Sequence, residues 1–506
     1  MIRRLVGPFN RVEGDLEVQL EIDNFQVVSA KVNATLFRGF EQMLQGRSPL
    51  DALVYAPRIC GICSVSQSVA AAQALQSLYK ITPTQNGQKA INLMLANENV
   101  ADLLTHFYLF FMADYARNIY QTQPWYAEGV RRFKAMQGVH TSKAIEARSH
   151  WLKMMGTLAG HWPHTLAIQP GGSSRAIEPS EVLQLFAYSQ KLRHFLQDFL
   201  LQDTLEHFLN LETCAQLNHW HQQHLNSDLG FFMTAALQLE HTTLGSIQLP
   251  FMSFGSFPTT EAKQQLFPSG VILPEQSGFS RQPLNPNQIS EDLFSAHYVE
   301  NLAKNNLQSS QNSQPCPQPS IWEPPPLPQL DKKSAYSWCK APRLDGQVIQ
   351  VGAIARQMMA QQPLVVELVK YYGSSVYTRM MARIIEMIRL VIEVESWLQQ
   401  GFEAKAPFLT HHASPERDRG VGLIEAARGS LGHWVTLKND KIHSYQIIAP
   451  TTWNFSPQDA QGQAGPVEQA LKGTPVLEIN GTAETSPINV QHIVRSFDPC
   501  MVCTVH

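Results

Sequence analysis

The sequence of 506 residues has few charged side chains and no long apolar run. Charged residues make up 16% of the chain, against about 25% in an average protein. The formal net charge is −3, which argues against a nucleic-acid-binding protein, because such proteins are usually basic. No stretch of 18 or more apolar residues occurs, so we expect no membrane-spanning helix. The low charge indicates either a neutral polar surface, rich in Gln and Asn, or a large face covered by a partner.

The N-terminus lacks a secretory signal, because no apolar segment follows Arg3 and Arg4. We therefore expect a cytoplasmic protein, with peripheral membrane attachment through partners as the alternative. Any export would need a signal on another chain.

Hydrophobic residues are 44% of the chain, which is enough for a large core. Alternating apolar residues from Leu16 to Ile22 predict a strand with one buried face, and a second strand is expected around 27–36. The apolar period then becomes helical. Long helical stretches are predicted at 87–121, 143–166, 180–224 and 356–402, and small sheets at 340–355 and 420–450.

Residues 301–330 are rich in Pro, Gln and Ser, which predicts a loop or linker. We expect this segment to wrap over the surface of a single domain, 1–506. The alternative is a linker between two domains.

The seven cysteines are an odd number in a long chain, which is a poor basis for a disulfide framework. Four of them form two C-x-x-C pairs, Cys60 with Cys63 and Cys500 with Cys503, more than 400 residues apart. Two such turns supply four thiolates, and soft sulfur ligands select zinc, nickel, copper(I) or iron–sulfur centres.

Three interpretations of the pairs remain open at this point. A four-cysteine zinc ribbon normally has its pairs only about 15–20 residues apart. A thioredoxin-like redox pair would need a βαβ unit, and neither pair lies in a clear one. A catalytic metal in the protein core fits the large separation best.

Residues 58–63 and 498–506 resemble the two signature motifs of the nickel–iron hydrogenase large subunit. Further segments resemble that family in its order: 11–14, 37–41, 106–108, 340–343, 425–429, 432–434 and 450–454. The resemblance covers the whole chain. It implies a mainly α (α+β) fold, with a central bundle of long helices and small peripheral β-sheets.

The resemblance also implies a nickel–iron centre whose iron carries CO and two CN ligands. Cys60 and Cys500 would be terminal nickel ligands, and Cys63 and Cys503 would bridge nickel and iron. The implied reaction is heterolytic cleavage of H2, in which a terminal thiolate takes the proton and a carboxylate carries it away.

Five further residues receive roles in this reaction from the resemblance. Glu13 would relay the proton from Cys500, Arg428 would cover the open side of the site, and Asp102 and Asp498 would orient Arg428. Thr451 would offer its hydroxyl to a cyanide. The alternatives are a solvated strand-end carboxylate for Glu13, a residue on the wet side of its helix for Asp102 and an ordinary turn residue for Thr451.

A magnesium-type ion near the C-terminus is implied as well. Its ligands would be Glu41, the backbone oxygen of Ile447 and the terminal His506, together with waters, which suits a hard cation. In the family a protease commonly cuts after this histidine, so we expect either the processed form or a member encoded without an extension.

Several positions depart from the commonest pattern of the family. Asp15 and Gln67 stand where histidines are frequent, and Ala427 stands in place of a proline. Ile62 and Phe110 are bulkier than the usual valine and leucine. If both line the gas route they narrow it, whereas the alternative is ordinary core variation. Together these changes resemble the cytoplasmic uptake and hydrogen-sensing branch, with a slight preference for sensing.

The three remaining cysteines, Cys214, Cys316 and Cys339, form no ferredoxin-like run. The chain therefore needs an iron–sulfur small subunit as its electron-carrying partner, in a heterodimer or a higher assembly. Two other classes compete with this hydrogenase interpretation. A four-cysteine structural zinc protein would hold zinc, and the quinone-oxidoreductase relative lacks the cysteine pairs.

Overall fold

The computed structural model describes residues 2–258, 265–276, 278–299, 321–411, 415, 417–479, 482–483 and 487–506. Its α-helices are α1 (Phe40–Leu44), α2 (Ala52–Tyr55), α3 (Ser64–Tyr79), α4 (Gln85–Thr105), α5 (Tyr126–Phe133), α6 (Val139–Ala159), α7 (Pro179–Phe195), α8 (Leu205–Leu209), α9 (Cys214–Gln223), α10 (Asp228–Gln238), α11 (Ala353–Met359), α12 (Pro363–Tyr372), α13 (Val376–Gln400), α14 (Pro450–Asn454), α15 (Pro466–Leu471), α16 (Ile488–Ser496) and α17 (Met501–Thr504). Two helices continue as π-helical turns, His106–Phe111 after α4 and Leu196–Leu201 after α7.

The strands form small sheets that are antiparallel throughout the described residues. They are β1 (Ile2–Val6), β2 (Leu16–Asp23), β3 (Gln26–Ala34), β4 (Ile168–Gln169), β5 (Gly172–Ser173), β6 (Phe251–Ser253), β7 (Ser256–Pro258), β8 (Gln265–Phe267), β9 (Gly270–Glu275), β10 (Gly278–Gln282), β11 (Ile289–Asp292), β12 (Ala341–Leu344), β13 (Arg419–Ala426), β14 (Gly429–Lys438), β15 (Lys441–Ile448), β16 (Glu478–Ile479) and β17 (Thr482–Ala483). The largest sheets have three strands, in the orders β1-β2-β3, β10-β9-β6 and β13-β14-β15.

Four long helices form the centre of the fold. α4, α6, α7 and α13 pack in a ring in which each helix contacts two others. α13 is 25 residues long and buried along most of its length, which explains its apolar residues on more than one side. Its first turn is fixed by a capping box between Ser375 and Thr378. The predicted central bundle with small peripheral sheets is therefore confirmed.

The sheet β13-β14-β15 packs directly against α3, and α3 in turn contacts α4 of the bundle. The close approach depends on two glycines in β13. A Cβ atom on Gly422 would lie 2.0 Å from the carbonyl oxygen of Ala70, and one on Gly420 would lie 2.3 Å from that of Ala74. Larger residues at these positions would push the sheet away from α3.

The helical stretches predicted from the periodicity are shorter in the structure. The stretch 180–224 is divided into α7, a π-helical turn, α8 and α9, and 356–402 into α11, α12 and α13. Pro363 starts α12 and Gly373, at φ 63°, ends it, because proline cannot continue a preceding helix and glycine accepts a left-handed conformation. Likewise, α6 stops at Gly160 instead of reaching residue 166.

Most of the predicted surface loop, residues 300–320, lies outside the described residues. Its end, from residue 321, crosses β15 and α1. The side chains of Ser444 and Gln446 both donate to the carbonyl of Glu323 at 2.6 Å, and Gln42 donates to that of Pro326 at 3.0 Å. Within the described ranges, none of the helices combines the length and hydropathy needed to cross a membrane.

Candidate metal centre

The first cysteine pair lies at the start of α3. Cys60 ends a 3₁₀ turn, Ala56–Ile59, and Cys63 is the residue that caps α3. The turn between them directs both sulfurs inward, and Cys60 is buried.

The second pair lies on the short helix α17, and the N-terminal segment runs alongside it. The Glu13 backbone accepts from the Met501 amide at 2.7 Å and donates to the Pro499 carbonyl at 3.4 Å. Gly14, at φ 82°, permits this approach, because a Cβ atom there would lie 2.9 Å from Val502. Residues from both ends of the chain thus meet around Cys500.

The four sulfurs form one cluster in which all lie within 4.8 Å of one another. Cys500 and Cys503 are 3.0 Å apart, Cys63 and Cys503 3.1 Å, and Cys60 and Cys500 3.5 Å. The prediction that the distant pairs meet is confirmed. Among the described residues this is the one group of three or more Cys, His, Asp or Glu side chains close enough to hold a metal ion.

Arg38 forms hydrogen bonds with the backbone of both cysteine motifs. Its guanidinium donates to the carbonyls of Ile59, next to Cys60, and of Val502, next to Cys503. Its role was not predicted, although residues 37–41 are one of the segments that carry the family resemblance.

A small cavity of about 10 Å³ adjoins the cluster. It is lined by Ile62, Cys63, Ser66, Gln67, Glu98, Asn99, Asp102, Ala426, Ala427, Arg428, Leu431, Pro450, Thr451, Cys500 and Cys503. Ile62 therefore borders the cavity as expected. Phe110 does not, and lies partly buried in the π-helical turn after α4.

Arg428 is buried against two carboxylates. It donates to the backbone and side chain of Asp498 at 3.1 Å, and lies 2.9 Å from an Asp102 oxygen. Asp102 is only 4% exposed, so the alternative of a wet helix face is wrong for it. Burial raises the pKa of Asp102 to about 8 in spite of the opposing effect of Arg428. The structure thus brings together the three residues predicted to form this group.

Thr451 and Glu13 also lie at the cluster. The Thr451 hydroxyl accepts from the Cys500 amide at 2.9 Å, which leaves its own hydrogen free to point into the cavity. Burial and the charge of Cys60 raise the pKa of Glu13, and Arg428 lowers it. The Glu13 carboxyl is therefore within electrostatic reach of both the cysteines and the arginine.

Arg356 supports the turn that carries Arg428, and was not predicted. It forms a bidentate pair with Glu386 at 2.6 and 2.9 Å and contacts Glu425 at 2.6 Å. It also donates to the carbonyls of Ala426 and Ala427, at 2.8 and 2.7 Å. The carbonyls just before Arg428 are therefore fixed by a buried cation on α11.

We expect Arg356→Met to destabilise the protein by about 3–5 kcal/mol, because two buried carboxylates lose their cation. Chemical denaturation should measure this loss. Arg131→Met breaks a pair with Glu128 in which both side chains are exposed, and it should cost clearly less. Equal effects of the two substitutions would contradict the account of Arg356.

Glu41, Ile447 and His506, the residues predicted to hold magnesium, lie close together, with the Ile447 amide rather than its predicted ligand oxygen facing Glu41. A Glu41 oxygen accepts from the Ile447 amide at 2.9 Å and lies 3.4 Å from the His506 Nε2. Lys340, which was not predicted as part of this group, lies 3.0 Å from both Glu41 oxygens and 2.9 Å from Glu291. Burial alone would raise the pKa of Glu41, but Lys340 brings it down to about 2.

The residues at this second position fit a hard cation. His506 Nδ1 is 2.5 Å from the Cys503 carbonyl, so it carries the hydrogen and Nε2 presents a lone pair towards Glu41. Neither His506 Nε2 nor the second Glu291 oxygen has a hydrogen-bond partner, although both are buried. A divalent cation with water ligands would satisfy these atoms.

A helical protein with four converging thiols beside an enclosed cavity is, by its fold and site, a metalloprotein with a soft-metal centre. A comparison with protein families matches the nickel-dependent hydrogenase model over residues 38–124 and 117–506. The chain belongs to this family. It is the catalytic large subunit of a nickel–iron hydrogenase, an oxidoreductase that acts on H2. Membership of this family excludes the structural-zinc and redox-pair interpretations of the cysteines.

Individual relatives agree over the full length of the chain. It is 28% identical to the periplasmic [NiFeSe] hydrogenase large subunit of Desulfomicrobium baculatum, covering 99% of this chain and 94% of the relative. Identity to the hydrogenase-2 large chain of Escherichia coli K12 is 26%, over 100% and 97%. The solved structure of reduced, active Ni-Fe-Se hydrogenase from Desulfomicrobium baculatum superimposes with a TM-score of 0.82 at 26% identity, covering both chains fully.

Proposed function

We propose that this subunit oxidises H2 at a nickel–iron centre, passes electrons to an iron–sulfur small subunit and serves as a cytoplasmic hydrogen sensor. The convergence of four cysteine sulfurs within 4.8 Å carries the proposal. Uptake of H2 for energy metabolism is the alternative role, and it would use the same site.

The residues around the cluster fit an iron that carries CO and two CN ligands. Such ligands need hydrogen-bond donors on one side and apolar walls elsewhere. Arg428 and the Thr451 hydroxyl are the donors at the cavity, and Ala426, Leu431 and Pro450 supply apolar surface. Cys60 and Cys500 would hold nickel, while Cys63 and Cys503 would bridge to iron. When bound, the centre supplies the redox-active site at which H2 is split heterolytically.

The protein's own residues then move the proton. The Cys500 thiolate accepts the proton, and Glu13 then accepts it from Cys500. The backbone of Glu13 forms hydrogen bonds with both chain neighbours of Cys500. Arg428 stays charged because Asp102 and Asp498 flank it. It can therefore donate to a cyanide nitrogen without competing for the proton.

Glu41, the Ile447 backbone oxygen and His506 would hold Mg²⁺ or a similar ion. The two unpartnered buried atoms of His506 and Glu291 support this assignment. The ion would anchor the C-terminus, three residues after Cys503.

The small subunit would cover the face formed by α1 and α2. Four large apolar side chains there, Leu36, Met43, Leu50 and Val54, are 38–43% exposed. The 3₁₀ turn that follows α2 leads directly to Cys60, so this face is close to the metal centre. Relatives of this chain are named large subunits or large chains, which supports a complementary small one.

Two residues at the cavity support the sensing branch. Ile62 borders the cavity where the family often has a smaller valine. Gln67 accepts from His433 at 2.8 Å, so the chain has an amide where an imidazole is frequent. Ile62 makes the cavity narrower than valine would, and Gln67 makes its wall less basic than histidine would. Both features suit a protein that must survive oxygen while it detects H2.

We expect Ile62→Val to speed inactivation by oxygen, because the lost methyl group widens the cavity without touching a ligand. The cost in stability should be about 1 kcal/mol. Inactivation is followed by hydrogen-dependent dye reduction after timed exposure to air. Ile385→Val, a matched truncation on α13 away from the cavity, should leave the rate unchanged. Oxygen resistance equal to that of the parent would mean that Ile62 is ordinary packing.

Phe110→Leu tests whether Phe110, the second residue expected to narrow the gas route, acts like Ile62. Because Phe110 does not border the cavity, we expect a smaller effect from this substitution than from Ile62→Val.

The function itself is tested by isotope exchange. The purified subunit with its copurified partner is incubated under D2 in H2O, and HD is followed by mass spectrometry. HD formation that requires nickel supports the proposal, whereas its absence from a nickel-containing preparation refutes it.

A further inference from the structure

Helix α3 begins at the metal centre without a cap from its own chain neighbours. The first amides of a helix have no intrahelical partner, and a Ser, Thr, Asp or Asn side chain at the capping position usually accepts from them. Here the capping residue is Cys63, whose sulfur lies among the other cysteines and makes no capping hydrogen bond. The residue at the capping position would thus serve as a metal ligand instead of capping the helix.

Glu98, on α4, instead accepts hydrogen bonds from the first backbone amides of α3. One carboxylate oxygen accepts from the Val65 amide at 2.8 Å and from the Trp162 indole at 3.2 Å. The other accepts from the Ser66 amide and hydroxyl, both at 2.8 Å. Glu98 is 2% exposed and lines the same cavity as Cys63 and Arg428.

We propose that Glu98 is a positioning residue for the metal centre. Its carboxylate, on α4, caps the N-terminus of α3 and thereby fixes the backbone of Cys63. This inference rests on the proposed nickel–iron site. A carboxylate suits the task, because its charge is favourable at a helix N-terminus. An amide does not, because each oxygen of Glu98 faces at least one N–H donor and the NH2 of a glutamine would oppose one of them in either orientation.

Glu98→Gln tests the proposal with Glu468→Gln as its matched control. Glu468 is also buried, and it accepts from the Val32 amide at 2.9 Å and the Tyr336 hydroxyl at 2.8 Å, but it does not line the cavity. Hydrogen–deuterium exchange is measured at the Val65 and Ser66 amides in the metal-free full chain. Infrared bands of the iron diatomic ligands are measured in the metal-loaded complex.

We expect exchange at Val65 and Ser66 to become at least about tenfold faster in Glu98→Gln, because the local cap is lost. The infrared bands should shift, and Glu468→Gln should change neither readout. Unchanged exchange would overturn the capping role. Faster exchange with unshifted bands would overturn the positioning role, because Glu98 would then stabilise α3 without acting on the centre.

If Glu98→Gln does not fold, Ser66→Ala removes one of the four bonds, and it should give the same changes at smaller size; no change at all in that variant would overturn the proposal. Absence of the bands from the parent protein would refute the nickel–iron function, and exchange in the metal-free chain distinguishes that outcome from failure of the cap.

Discussion

Glu13→Gln should retain nickel and iron but lose at least about 10²-fold in H/D exchange activity, because an amide cannot accept and release a proton. The Glu13 backbone forms hydrogen bonds with the residues on both sides of Cys500, which places Glu13 next to the proposed proton source in the fold. The carboxyl is also close enough to Cys60 and Arg428 for their charges to act on its pKa.

Glu21→Gln is the matched control, since this carboxylate lies on β2 near the same end of the chain and pairs only with the exposed Arg3. It should have parental activity. Full exchange activity in Glu13→Gln, with metal content intact, would show that another residue relays the proton.

Cys503→Ser should abolish binding of nickel and iron together. Its sulfur is the one within 3.1 Å of two other cysteines, Cys63 and Cys500, so its removal affects both proposed metals. A serine oxygen is a harder ligand and a poor substitute for a bridging thiolate. Metal analysis of the purified variant measures the loss.

Cys214→Ser is the control, because Cys214 lies partly exposed at the start of α9 and outside the cluster. Its metal content should match that of the parent. Full nickel and iron in Cys503→Ser would contradict the bridging role.

Much of the fold follows from the period of the apolar residues. The alternation in Leu16–Asp23 predicted β2, and the helical spacing after residue 87 predicted α4. Helix ends were less predictable, because α13 and the helices before it are buried on several sides and present one continuous apolar pattern. Pro363 and Gly373 are the residues at which this continuous pattern is broken in the structure.

The cysteine cluster could be predicted because both pairs carry their own spacing. The group of Arg428, Asp102 and Asp498 came only from the family resemblance, since nothing local connects three residues so far apart. Glu98 was not predicted, because its partners Val65 and Ser66 lie 33 and 32 residues away on another helix. The available signal in the sequence is a carboxylate four residues before Asp102, on the same face of the predicted helix.

The most direct test of the account is the infrared spectrum of the purified protein, read together with its nickel and iron content. The account predicts both metals in equal amounts and bands from one CO and two CN ligands, since Arg428, Thr451 and the four cysteines are arranged to hold such a centre. Zinc in place of nickel and iron, with no band in the cyanide and carbon monoxide window, would contradict it.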